Sequence, residues 1–193
     1  AMALGTAAAV GISKFGKRAR GVIMNVTYLP VLNPEIVTGI SMMLLFVFFK
    51  NLFGFKMGFA TVLIAHITFC LPYVILNVLP KLRQMDQSLF EAAMDLGCHP
   101  VTAFFKVVIP QIMPGITAGF LMAFTISLDD FVVTYFTSGS GFKMLPVTIY
   151  SMVKKKVNPQ INALSTIIFL IVLALLAVMN LVEARRAKRL KQN

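Results

Sequence analysis

Residues 91–110 read EAAMDLGCHPVTAFFKVVIP, and the stretches on either side are strongly apolar and nearly uncharged. The local pattern is helical. Ser88 stands where it caps a helix starting near Leu89, with Glu91 three positions on as the other half of a capping box. EAAMDL is good helix-forming sequence, Gly97 ends it, and His99-Pro100 makes a turn. VTAFFKVV then forms a second short helix that stops before Pro110. Leu89, Phe90, Ala93, Phe104 and Phe105 give this pair more apolar surface than a solvated connector needs. A connection of this length is uncommon unless it has a task. Two short helices with exposed apolar side chains make a docking knob.

The flanking composition says where the knob sits. Of 193 residues, 58% are hydrophobic and 13% charged, and the mean hydropathy is +0.84. Soluble domains carry about 25% charged residues and about 45–50% apolar ones. The chain therefore reads as a membrane protein, an all-α polytopic bundle forming a single transmembrane domain over 1–193. A crossing helix needs roughly 20 mostly apolar residues. Four stretches reach that length: 22–49, broken early by Pro30, Asn33, Pro34 and Glu35, then 57–79, 112–136 and 161–182. Residues 1–13 are small and apolar and precede KFGKRARG, the reverse of a signal peptide's order. They are expected to be the end of a further span in a fragment of a longer chain.

The net charge of +11 would point to nucleic acid in a soluble protein. Here the basic residues lie between and after the apolar runs, so membrane topology accounts for them and no nucleic-acid partner is expected. Loops on one side hold twelve of the 18 basic residues: Lys14 to Arg20, Lys81, Arg83, Lys106 and the tail from Arg185 to Lys191. The other side holds Lys50, Lys56, Lys143 and Lys154 to Lys156. The richer side is cytoplasmic by the positive-inside rule, which places the loop over 80–111 inside the cell. Lys154 to Lys156 read as a solvated face of an outer loop.

With residue types, spacing and location in place, the loop resembles the EAA loop of ABC importer permeases. The match is Glu91-Ala92-Ala93, then Gly97, then Val107, Ile109 and Pro110. The family pattern has Ile and Leu where this chain has Val107 and Ile109. PEIVTGISMMLLF, HITFCLPYVILNV, SLDDFVVTYF and LPVTIYSMVKKKVNPQINALSTI extend the likeness along the chain, toward permeases of spermidine/putrescine importers. The resemblance implies the type I ABC importer permease fold in a bacterial inner membrane, with six spans. This chain would then lack the first and part of the second. It also implies no cofactor, and partners in the form of a PotA-like ATPase dimer, a PotB-like second permease and a PotD-like substrate-binding protein. The chain carries no G-x4-G-K-[ST] phosphate loop, so the expected role is a transport subunit and not an enzyme.

Intramembrane acids are the candidate pathway residues, because each costs about 2.5–3.5 kcal/mol to place at a span's centre. Asp129 and Asp130 stand together in 112–136, where no Lys or Arg neutralises them. On a helix these neighbours point about 100° apart, so one can face a pathway while the other anchors the helix. Polyamine ammonium groups suit carboxylates, and their methylene stems suit aromatic faces such as Phe131, Tyr135 and Phe136. The resemblance adds Ser127 to the substrate-sensitive set. Glu35 follows Asn33-Pro34 and is the other candidate, with helix capping as its competing role.

His66 and Cys70, four apart, share a helix face, but two ligands make a poor metal site. They read as a core pair, and no metal is expected. Two other functions use the same residues. One is a type I importer permease for ferric iron, sulfate or another small solute. The other is a component of an ion-coupled secondary transporter, in which Asp129 binds a proton or cation and the loop has no purpose.

Overall fold

The computed structural model describes residues 1–54, 56–86, 88–139, 144–155 and 159–190. Lys143, Lys156 and Lys191, counted in the charge asymmetry, lie outside the described residues, as do the tail side chains from Arg185 onward. Every regular element among the described residues is helical. The order is α1 (Met2–Lys14), α2 (Lys17–Leu32), α3 (Glu35–Phe53), α4 (Phe59–Gln84), α5 (Ser88–Asp95), α6 (Pro100–Ala103), α7 (Ile109–Asp129), α8 (Val132–Thr137), α9 (Leu145–Lys155) and α10 (Pro159–Leu190). Ala1–Phe142 and Lys143–Asn193 form separate compact units. In the second, α9 and α10 pack on each other, and α10 contains the apolar segment Asn162–Val178.

Among the described residues three helices are long and apolar enough to cross a membrane: Glu35–Phe53, Phe59–Gln84 and the continuous helical run Pro100–Asp129. α4 is the centre of the first unit. It buries Val62, Ala65, Phe69, Cys70, Val74, Ile75, Val78, Leu79 and Leu82 against its neighbours. Lipid tails give helices no hydrophobic reason to associate, so close backbone approach through small residues has to supply the contact. Gly115, Gly119 and Ala123 form that row on α7. A Cβ on Gly115 would lie 2.8 Å from the Asn77 carbonyl oxygen, and one on Gly5 of α1 would lie 2.6 Å from Val74 Cγ1. α3, in contrast, buries little and exposes Leu44, Phe48, Leu52 and Phe53, the surface of a helix facing hydrocarbon or another subunit.

Two expected spans are each divided. Residues 22–49 become α2 and α3, because Asn33 precedes Pro34 and is driven to extended backbone (φ −76, ψ 141). Residues 112–136 become α7 and α8, separated by Asp130 in an extended conformation (φ −65, ψ 110). Irregular backbone at this depth is tolerated only where protein or a cavity satisfies it. The loop over 80–111 is also more helical than its sequence suggested. α4 runs on to Gln84, and the second short helix does not stop before Pro110. It passes through a π turn at Phe104–Val108 into α7. Pro110 has no N–H to give and its ring crowds the preceding turn, and one wider turn relieves both problems without ending the helix.

Candidate functional site

The break between α7 and α8 is held by a polar knot. Asp130 is 5% exposed. Its Oδ1 accepts from Val133 N at 3.1 Å, and its Oδ2 accepts from Thr134 N at 2.8 Å and Thr134 Oγ1 at 2.9 Å. These bonds satisfy amides that the first turn of α8 would otherwise leave open. His66 reaches the same place from α4. Its Nε2 lies 2.9 Å from Thr134 Oγ1 and 3.4 Å from Asp130 Oδ2, and its Nδ1 lies 2.8 Å from Ser127 Oγ on α7.

Proton positions follow by elimination. Thr134 Oγ1 donates its hydrogen to Asp130, so it accepts from His66 Nε2–H. In the neutral imidazole Nδ1 then accepts from the Ser127 hydroxyl. Among the described residues no buried side-chain polar atom lacks a partner. One level further along, Thr61 Oγ1 donates to the Thr137 carbonyl at 2.7 Å and ties the far end of α8 to the start of α4.

Asp129, one residue away, is exposed. Following it in sequence, Phe131 and Tyr135 have ring centroids 5.5 Å apart, and Tyr135 and Phe136 likewise. The structure thus joins the partly buried Ser127 to the buried Asp130 in one network and leaves Asp129 outside it. Glu35 stands apart, exposed at the first residue of α3. One turn on, Gly39 packs on α8, where an added Cβ would lie 3.0 Å from Phe136 Cδ2 and 3.5 Å from Val132 Cγ1. The break before α3 borders a cleft of about 370 Å³ lined by Asn33, Thr38, Ser41, Thr68 and Phe69. His66 and Thr134 were not candidates from sequence. Cys70, read with His66 as a pair, instead directs its thiol to the Ala123 carbonyl at 3.6 Å.

The elbow formed by α5, α6 and the π turn has two faces. Phe90, Phe104 and Ile109 pack toward the core built on α4. Leu89, Met94, Leu96, Val101 and Phe105 stay exposed, Leu96 at 89% and Phe105 at 63%. Glu91 and Ala92 are exposed on α5, Ala93 and Val107 are partly buried, and Pro110 is exposed. Glu91 borders a cleft of about 690 Å³ that also receives Lys14, Arg20 and Arg83.

Gly97 adopts φ +80, the left-handed conformation that closes α5. Gly97 N donates to Met94 O at 2.9 Å and Cys98 N to Ala93 O at 3.1 Å, which together make a Schellman cap. At the start of α5, Asp86 Oδ1 accepts from Ser88 N at 3.0 Å. Ser88 is thus the first helical residue, and Asp86 takes the role expected of it. Hydrogen bonds from Ser88 hold the Asp86 carboxyl below its usual range. That contact is therefore present at neutral pH and lost only as acid protonates Asp86. His99 Nδ1 accepts weakly from Val101 N at 3.4 Å ahead of Pro100, the first residue of α6.

Comparison with known proteins finds relatives that match most of the chain. The putrescine permease PotI of Escherichia coli K12 is 44% identical over 169 residues, covering 86% of this chain and 60% of PotI. The spermidine/putrescine permease PotC of the same organism is 36% identical over 185 residues, covering 96% of this chain and 69% of PotC. PotC of Haemophilus influenzae is 37% identical over 182 residues, covering 94% and 69%. The chain thus spans about three-fifths of PotI's length and 69% of PotC's. The model of the family described as binding-protein-dependent transport system inner membrane component matches residues 1–192. With a match over nearly its full length, this multi-pass chain belongs to that family of inner membrane transport permeases, which have the type I importer fold.

Proposed function

We propose that the chain is a permease subunit of an ATP-driven polyamine importer, and that Asp129 is its principal ammonium-binding carboxylate. The observation that carries this reading is the contrast between the two aspartates. Asp130 has both oxygens engaged within the chain, while the neighbouring Asp129 is exposed beside an aromatic pair in a span without basic residues. Asp129 is the last residue of a membrane-length helix, and a carboxylate bordering hydrocarbon faces a pathway or the partner permease rather than lipid. Ammonium groups spaced along a methylene chain match such a carboxylate with aromatic faces beside it. The names of PotI and PotC point to the same substrates. Glu35, at the other helix break, is proposed as a second cation contact, and Ser127 as a pathway residue acting through His66.

The remaining partners follow from energetics. Uphill transport needs a motor that this chain does not contain. The exposed apolar row of the elbow, held by Glu91, Ala92, Ala93, Gly97, Val107, Ile109 and Pro110, is proposed to dock on an ATPase dimer of the PotA kind. A PotB-like permease would complete the pathway, and a PotD-like protein would deliver substrate from outside. A ligand shifts an outward–inward equilibrium only through its different affinity for the two states. Loss of Asp129 contact in the inward state is the proposed basis of release. The test is uptake of labelled spermidine and putrescine in cells producing Asp129→Asn or Glu35→Gln. Loss of polyamine uptake in Asp129→Asn at normal membrane abundance is expected. Undiminished uptake in that variant would reject the assignment.

A further inference from the structure

We infer that His66 is a positioning residue that ties the α7–α8 break to α4, so that the break and the helix leading to the elbow move as one body. The inference rests on the transport reading above and adds a residue to it. One imidazole makes contact on both sides of the break: Ser127 on α7 at 2.8 Å, and Thr134 on α8 at 2.9 Å. It also stands 3.4 Å from Asp130, the residue that makes the break. α4 carries His66 near its first turns and runs to Gln84, where its end borders the cleft that Glu91 and Phe90 of the elbow also line.

Beside α4's apolar packing and the single contacts of Thr61 with Thr137 and Cys70 with Ala123, His66 is a polar side chain that reaches two helices at once. A hydroxyl-to-imidazole-to-hydroxyl chain has fixed directions, and a partly buried network of this kind favours one arrangement. The Thr61–Thr137 contact holds only the far end of α8, so removing His66 frees the part of α8 around Thr134 and Tyr135 to shift against α4. Movement of the elbow reaches Asp129 along the continuous run Pro100–Asp129, and His66 would carry it on across the break to Thr134 of α8.

The test uses the complete transporter, reconstituted in vesicles with its ATPase, second permease and binding protein. Labelled spermidine taken up per ATP hydrolysed is measured for wild type, His66→Ala, His66→Gln and Ser127→Ala. Gln keeps an amide donor within reach of Thr134, whereas Ala keeps nothing. His66→Ala is expected to hydrolyse ATP but to lose at least about fivefold in uptake per ATP, the low end of coupling between sites. Ser127→Ala is expected to fall between His66→Ala and wild type, and His66→Gln to recover most of the ratio. A purely structural role would lower assembled yield and leave the ratio intact. An unchanged ratio in His66→Ala overturns the inference, whatever Ser127→Ala shows.

A second measurement needs no substrate. Spin labels at Leu63→Cys on α4 and Tyr135→Cys on α8, with Cys98→Ser, report the spacing of the two helices. In the nucleotide-free and vanadate-trapped states the spacing should stay the same in wild type and differ in His66→Ala. Equal behaviour of the two proteins would overturn the inference. Failure of wild type to respond to either polyamine would refute the substrate reading alone, and the spin labels would still decide on His66.

Discussion

Asp130 accepts from Val133 N, Thr134 N and Thr134 Oγ1, and each of those donors is buried with it. Asn at this position keeps one acceptor oxygen and turns an NH₂ toward an amide that also donates. An unsatisfied buried donor costs about 1–3 kcal/mol. Asp130→Asn should therefore lower the thermal unfolding midpoint of the purified chain by several degrees. Asp129→Asn should leave that midpoint unchanged and lower polyamine uptake by about tenfold or more, the effect of about 1.4 kcal/mol of lost interaction. The two readouts separate an anchor from a ligand on adjacent residues. Gly97 makes a second prediction at this scale. Its φ of +80 sits in open space, so Gly97→Ala suffers backbone strain and no clash. Left-handed backbone costs an alanine roughly 1–2 kcal/mol. α5 should lose its Schellman cap, and less ATPase should be recovered with the chain on affinity purification from membranes.

Among elements, the α4–α7 pair depends on glycine at Gly115, because an added Cβ would meet the Asn77 backbone carbonyl. Backbone cannot turn aside as a side chain can, so Gly115→Val should force the helices apart. Membrane-inserted yield should fall severalfold, while Gly21→Val, with nothing near it, should not lower it. The π turn gives a second test among the elements. Pro110→Ala restores an N–H and should let Phe104–Val108 tighten to α-helix, rotating Phe104 relative to α7 and impairing coupling more than stability. The elements differed in how readable they were. The elbow was legible because Glu91, Gly97 and Pro110 act through local backbone rules. Two details differed: Asp86 took the capping role expected of Ser88, and Pro110 was absorbed by one wide turn instead of ending a helix. The break at Asp130 carried a fainter signal: two consecutive aspartates are poor interior helix residues and good caps. No glycine or proline marks it. His66 had no local signal at all, because Ser127 and Thr134 lie 61 and 68 residues away in sequence.

For the molecule as a whole, composition and the spacing of apolar stretches were enough to establish a helical membrane bundle, since each span is a local property of about 20 residues. Which span touches which was not readable, because it depends on small residues such as Gly5, Gly39 and Gly115 meeting partners far along the chain. The central claim is that the exposed apolar row of the elbow holds a separate motor. Leu96 and Phe105 are its most exposed large members, at 89% and 63%, and contribute little to the core. The most direct measurement is recovery of an ATPase subunit with affinity-tagged chain from native membranes, for wild type and for Leu96→Asp with Phe105→Asp. The account predicts an ATPase accompanying the wild type and absent from the double variant, with equal membrane abundance and helix content. An ATPase retained by the double variant, or polyamine accumulation by the wild-type chain with no ATPase present, would contradict it.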